Sequence, residues 1–350
     1  MRVAVKRRGT KIGSNGKVMG REAGDTLVRR FLRVFPDAQI IADLPQRGDG
    51  FDVITLAQVD PEDTVIVNFD VVDSPAIWEE IFTATGVAPK VMNFVSWPLS
   101  NLVREEQQAA AALSCGLFPT FANSRRTAGE LEELVNRMAI PSIAERAKLG
   151  WVNLGFRLDH VVPKKKTSVP VVLYPAIYLG PKKRPELFME IVERVHDRTP
   201  LLVEMRLEES ALVSERAMKY SRLPWVWVSP LTSTRDSYWE ALSKTTAMLA
   251  TASSVSYGLI YVEALGAGVI GVFPDDDWAR ALLPKGYPYF YRSKQEAEEM
   301  LYRAVTAPDT CREEIDAAVG VPFQDWVYEH HSDTTFDEEL RSFVASVAAG

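Results

Sequence analysis

Residues 247–273 read AMLATASSVSYGLIYVEALGAGVIGVF, and this stretch decides the fold. It divides into a short buried strand, a polar loop, a helix, a glycine turn and a second buried strand. The loop, 251–256, is rich in hydroxyls and runs into the helix start. A helix N-terminus exposes N–H groups without intrahelical partners and carries a positive partial charge, so it suits a phosphate. Gly258 lets the backbone come close to a ligand. Glu263 lies in the helix, inside an otherwise apolar run. A carboxylate there is costly unless it has partners. A pair of sugar hydroxyls would serve, because an ionised carboxylate accepts several hydrogen bonds. Gly266 and Gly268 close the helix and turn the chain into the next strand.

The same alternation extends outward in both directions. Strands are predicted at 2–6, 39–42, 64–69, 90–95 and 118–123, separated by helices at 25–35, 74–85, 99–114 and 125–138. Ser74 reads as an N-cap with Pro75 at the first helical position. The pattern restarts at VPKKKTSVP (162–170), whose Lys164, Lys165 and Lys166 mark the expected linker; a linker that starts near Arg146 fits the sequence equally. Strands then fall at 169–174, 201–205, 225–228, 247–251 and 269–273, with helices at 185–198, 235–243, 258–265 and 294–306, and two helical pieces in the tail. Two successive runs of β/α units imply an α/β protein with two doubly wound parallel sheets. Such sheets bind ligands beyond the carboxyl ends of their strands, so two of them are expected to face each other across a cleft that holds the site. The expected boundaries are 1–163, 164–320 and 321–350.

Composition removes other classes. The chain has 350 residues, with 47% hydrophobic and 25% charged residues, which fits a folded protein of about two domains. A formal net charge of −7 argues against a general polyanion binder. Cys115 and Cys311 form no metal-ligand or paired spacing, which suits a reducing compartment. The start, MRVAVKRRGTK, has cations but no apolar core of a secretion signal. No run approaches the ~18 apolar residues of a membrane span. The cytoplasm is the expected compartment, with peripheral membrane contact left open.

The segment 253–268 resembles the donor-nucleotide site of retaining GT-B glycosyltransferases, in particular glycosyltransferase family 4 with its family 1-like domain. The matching residues are Tyr257, Gly258, Glu263, Ala264, Leu265 and Gly268. YLGPKKRPELFMEIVERV (178–195), FANSRRTAGEL (121–131) and FQDW (323–326) are similar to further segments of that family. The resemblance implies two Rossmann-like domains in the GT-B arrangement, the second binding the donor. It implies a last helix that returns to the first domain. It implies transfer of a sugar from a UDP- or GDP-linked donor to a hydroxyl acceptor with retention, without metal or cofactor. By the same resemblance Glu263 holds the donor ribose, and Lys183, with Lys182 and Arg184, neutralises the diphosphate. Ser256, Tyr257 and Gly258 lie near the phosphates and sugar. The acceptor is unspecified: glycan, lipid, protein and modified nucleic acid all fit. The catalytic residues and the oligomeric state are unspecified too. The family also places a Glu eight positions before the helix Glu, and here that position is Val255. It places an Arg five positions before the loop Lys, and here that is Tyr178.

Plainer readings stand beside these. Glu263 could be a structural helix residue, and Lys182–Arg184 a solvated turn. The Gly-rich loop 9–24 matches no phosphate-binding motif. Its glycines could only make turns, but Gly13, Ser14, Asn15 and Gly16 are candidates to border the cleft. Asp70, Asp73, Asn93, Ser96 and Asn123 lie at expected strand ends, where they could supply groups the family pattern lacks. Asp70 and Asp73 read equally as a loop with an N-cap role. Asp275–Asp277 reads as an acidic surface turn. His330 and His331 are expected to be exposed, and Trp225, Trp227 and Trp326 to be core or interface aromatics. A catalytically weak or inactive protein on the same fold, acting as a sensor or partner subunit, is the alternative function.

Overall fold

A computed structural model describes residues 1–20, 23–232 and 234–349. The chain forms two compact units, one of residues 1–153 and 335–350, the other of residues 154–334. The division falls ahead of the Lys-rich stretch 164–166. That stretch is packed onto the second unit: Lys165 N–H donates to Ser243 O, and Lys164 Nζ donates to the carbonyls of Leu242 and Thr245 at the end of the helix Arg235–Lys244. A cation at a helix C-terminus meets the negative end of its dipole.

In the first unit, β1 (Arg2–Lys6), β2 (Gln39–Ile41), β3 (Gln46–Arg47), β4 (Asp52–Ile54), β5 (Thr64–Asn68), β6 (Lys90–Val95), β7 (Thr120–Ala122) and β8 (Leu149–Trp151) form one sheet. Its order is β3-β4-β2-β1-β5-β6-β7-β8, and only β3 runs antiparallel to its neighbour. The centre of the sheet is apolar on both faces, as a helix-covered parallel sheet must be: Val3, Ala4, Val5, Val65, Ile66 and Val67 are buried. The last helix, Asp333–Ala349, packs here through Phe336, Leu340 and Val344, with Phe336 against Phe94 and Phe121. Arg30 stacks over Phe336 at 4.0 Å and donates from Nε to Asp337 at 3.0 Å.

In the second unit, β9 (Val171–Tyr174), β10 (Leu202–Leu207), β11 (Val226–Pro230), β12 (Ala247–Leu249), β13 (Ile270–Pro274) and β14 (Phe290–Tyr291) form an all-parallel sheet in the order β11-β10-β9-β12-β13-β14. The chain leaves β9 toward β10 and β11, then returns to β12 on the other side. The order therefore reverses between β9 and β12, the position where doubly wound sheets open a crevice for ligands. No described helix is long and apolar enough to cross a membrane.

Several smaller expectations change. The helix Ser74–Thr85 takes Asp73 as its N-cap residue, one position earlier than expected. Neither Asp70 nor Asp73 caps a helix with its side chain; they bind the end of β1 and the loop after it, through Arg8 N–H to Asp70 and through Lys6 and Arg8 to Asp73. Asn93 is fully buried, accepting from Ser74 Oγ at 2.6 Å and donating to Ser114 and Thr120, so it is a packing residue of β6. Asn123 is buried and accepts from Thr127 Oγ1. Trp227 is 59% exposed on the edge strand β11, so of the core and interface positions expected for it the core is excluded. Asp275 pairs with Arg280 and Arg292, which hold its carboxyl down at about 2 despite the opposing effect of burial.

Candidate functional site

Two loops meet at the β9/β12 switch point. After β9 the chain makes a single 3-10 turn, Pro181–Lys183, and enters the helix Pro185–Arg198 through Arg184. After β12 it runs through the hydroxyl-rich loop into the helix Leu259–Gly266. The second loop holds the first. Thr251 Oγ1 donates to Lys183 O at 2.8 Å, and Ser253 N–H donates to Lys182 O at 2.9 Å. Arg184 takes the left-handed conformation at φ 50°, which costs a non-glycine residue roughly 1 kcal/mol. The turn keeps it because these hydroxyl and N–H donors fix its carbonyls.

The cations of this turn differ in setting. Lys182 and Arg184 are exposed, whereas Lys183 is half-buried. Burial lowers the Lys183 pKa, since an ammonium loses hydration there. Among the described residues no carboxylate lies within ion-pair distance of it. The helix Leu259–Gly266 starts at Gly258, whose φ of 88° and close packing exclude a side chain: a Cβ there would lie 2.7 Å from the Tyr261 ring. Gly268 also has a positive φ, at the turn into β13.

Glu263 is 4% exposed and already has partners. Arg235 Nη2 donates to its Oε1. The Tyr238 phenol lies near the same carboxylate; burial and that negative charge raise the Tyr238 pKa well above its ordinary value. Arg235 opens the helix Arg235–Lys244, which Thr234 caps by accepting from Ser237 N–H. A cation in a first helical turn opposes the dipole, and Glu263 offsets that conflict.

Tyr257 turns inward. Its side chain is 5% exposed, and its hydroxyl lies 2.6 Å from His331 Nδ1. His331 Nε2 lies 3.1 Å from Leu282 O, which can only accept. Nε2 therefore carries the proton and Nδ1 accepts from Tyr257. His331 is 1% exposed, against the expectation of an exposed tail residue, and burial pushes its pKa down to about 4. Val255 is 8% exposed and packs beside Gly258.

The candidate loop of the first unit forms a small hairpin of its own. Ile12 bridges Val18, Gly16 N–H donates to Gly13 O, and Lys17 N–H donates to Asn15 Oδ1. Gly16 has φ 74° and accepts from Asp49 N–H. The glycines at 13 and 16 thus serve the turn and its seat on a neighbouring loop. Ser14 lies in the same turn. A cavity of about 690 Å3 in this unit lies elsewhere, among Arg2, Asp37, Gln39 and Asp63 at the amino ends of strands, opposite the edge where such sheets take ligands. No group of three or more His, Cys, Asp or Glu side chains among the described residues could hold a metal ion.

Solved structures share this architecture over the whole chain. HepE of Anabaena, in complex with UDP and glucose, superposes with a TM-score of 0.68 at 13% identity, covering 99% of this chain and 100% of that one. Sucrose-phosphate synthase of Thermosynechococcus elongatus gives 0.70 at 10% identity, covering 99% of each chain. α,α-Trehalose 6-phosphate synthase of Burkholderia multivorans gives 0.68 at 10% identity, covering 99% and 97%. The chain has the GT-B fold. No protein-family model and no curated protein matches its sequence.

Within this GT-B chain, the second unit brings Lys182, Lys183 and Arg184 against the loop that leads to Ser256, Tyr257, Gly258 and Glu263. Three contributors were not foreseen. Arg235 and Tyr238 could have been suspected, because a buried Glu needs a partner and an Arg in a first helical turn needs an acid. His331 gave no local signal, since its partner Tyr257 lies far away in sequence.

Proposed function

We propose that this chain is a glycosyltransferase that takes a nucleotide sugar, UDP- or GDP-linked, at the β9/β12 switch point of its second unit. One observation carries the reading: the cationic turn 182–184 is bound by its carbonyls to the loop that opens the helix of Glu263. In HepE a bound UDP accompanies the same fold. On this reading the diphosphate lies by Lys183, with Lys182 and Arg184 nearby, and takes N–H groups around Ser256–Gly258. Burial lowers the Lys183 pKa, and an anion beside it favours its charged form. Glu263 accepts from the ribose hydroxyls, sharing its carboxylate with Arg235 or exchanging it. Positioning and charge stabilisation at the leaving diphosphate then supply much of the rate. The sugar passes with retention to a hydroxyl acceptor, in a reaction that uses neither metal nor cofactor.

The test is calorimetric titration of UDP and GDP into wild type, Glu263→Ala and Lys183→Ala. One of the two nucleotides should bind wild type, and each substitution should weaken it by at least ~tenfold, the loss of one charge-assisted contact of about 1.4 kcal/mol. Absence of binding to wild type, or full binding by Glu263→Ala, overturns the assignment.

A second reading has its own support. Glu263 is neutralised by Arg235, and the position of the family's other Glu is the buried Val255. Both suit a nucleotide-sugar-binding protein without transferase activity. Slow release of free sugar from a bound donor, without acceptor, separates the enzyme from the sensor.

A further inference from the structure

The chain passes between its two units twice, at 153/154 and at 334/335. Just inside the second unit the two passages are joined. Phe156 N–H donates to His331 O at 2.8 Å, and Asp333 N–H donates to Phe156 O at 3.1 Å, forming a parallel bridge between Phe156 and Ser332. Gly155 is required here, because a Cβ would collide with the Ser332 carbonyl.

Both joined segments also grip the helix Leu259–Gly266, at opposite ends. At its C-terminal end the Phe156 ring lies where a Cβ on Gly266 would be. That ring packs further on Trp239, with centroids 5.5 Å apart. At its N-terminal end, Tyr257 donates to His331 Nδ1. Tyr257 precedes Gly258, the residue that starts the helix. His331 has no freedom to follow a moving loop passively. Its other nitrogen donates to Leu282 O, and its backbone N–H donates to Val327 O.

We propose that His331 is a positioning residue, which through Tyr257 locks the loop 253–258 to the joined passages, so that a nucleotide at the loop stabilises the passages between the units. The nucleotide half rests on the function proposed above. The loop-to-passage link stands on the geometry alone. Linkage requires the effect to be mutual: whatever the loop's occupant does to the passages, the passages do to its affinity.

Hydrogen exchange on the full chain tests both halves, with UDP and GDP as the probes. Without nucleotide, Tyr257→Phe should raise exchange of the Phe156 and Asp333 amides by roughly tenfold, the effect of losing one hydrogen bond to a buried group. With saturating nucleotide, wild type should gain protection at 253–260 and at 154–157 and 331–334. Tyr257→Phe should keep the first gain and lose the second, a pattern that a merely structural role would not produce. His331→Asn serves as the second variant, and should lose the same coupling. Unchanged exchange at Phe156 and Asp333 in ligand-free Tyr257→Phe overturns the link. Nucleotide that binds wild type and protects only the loop overturns the transmission. Failure of both nucleotides to bind wild type, with the ligand-free change present, removes the nucleotide half and the function above while leaving the link established.

Discussion

Lowering the pH should destabilise the second unit through His331, earlier than through its carboxylates. The imidazole is buried, and although its N–H donates to Leu282 O, burial dominates and holds the folded pKa at about 4 against 6.5 for the free side chain. The folded state therefore keeps His331 neutral while the unfolded chain takes up a proton. Stability is fully present above pH 6.5 and is lost as pH falls from 6.5 toward 4. The slope is ~1.4 kcal/mol per pH unit, and the whole window is worth ~3 kcal/mol. The depressed carboxylates, such as Asp275 with its arginine partners, lose their contributions only below the ordinary carboxylate range. Thermal or urea melts of wild type and His331→Asn at pH 7.5, 6.5, 5.5 and 4.5 isolate the effect, because shared groups cancel in the difference. Wild type should start more stable, and its advantage should shrink as the pH falls. The ring carbon shifts of His331 should meanwhile stay flat by NMR down to about pH 5. Parallel stability curves, or a His331 titration near 6.5, would refute the buried neutral imidazole and the direction of its bond to Tyr257.

Two further outcomes follow from the site. Arg235→Ala should lower the stability of the protein by ~1–2 kcal/mol, less than for a fully buried pair because Arg235 is half exposed. It should not weaken nucleotide binding, since Glu263 no longer has to share its carboxylate; a calorimetric Kd several-fold weaker than wild type would instead make Arg235 a ligand contact. Because burial lowers Lys183, nucleotide affinity should decline with rising pH before the ordinary lysine value of ~10.4 is reached; a Kd flat to pH 10 would show that Lys183 does not meet the diphosphate.

What was legible in the sequence was whatever local pattern encodes. The buried runs at 64–69 and 269–273 gave their strands because a helix-covered parallel sheet leaves no polar face to disguise them. The Gly258-to-Gly268 segment announced its helix because both ends need backbone conformations that suit glycine. Partners distant in sequence were illegible. The carboxylate at Glu263 signalled a need, and sugar hydroxyls and Arg235 both satisfy it in principle. Only the fold shows that the helix Arg235–Lys244 brings a guanidinium there. His331 failed for the complementary reason: a polar tail reads as solvated, yet the segment is paired with Phe156 and inserted under Leu282. Lys164 shows the same limit. A run of three lysines reads as a solvated stretch, and nothing local says that one of them closes the C-terminus of a helix.

Val255 is where resemblance and packing can be set against each other. In the pattern that the segment 253–268 resembles, this position carries a Glu, and introducing one is the direct test of that resemblance. The structure argues against a simple exchange. Val255 is 8% exposed, and its Cγ1 lies 3.2 Å from where a Cβ on Gly258 would be, so the side chain helps shape the loop. Val255→Glu would place a carboxylate in that apolar space. Unless the loop opens, its desolvation costs at least ~3 kcal/mol. At ~2–4 °C per kcal/mol for a unit of this size, the melting temperature should fall by ~6–12 °C. Nucleotide binding should weaken as the loop rearranges, because Tyr257 and Gly258 follow directly. Differential scanning fluorimetry and a UDP or GDP titration measure both effects. A variant that melts like wild type and releases sugar from a bound donor faster would mean that the side chain reaches the ligand without repacking. Val255 would then be a substitution in the reacting site and no longer part of the loop's support.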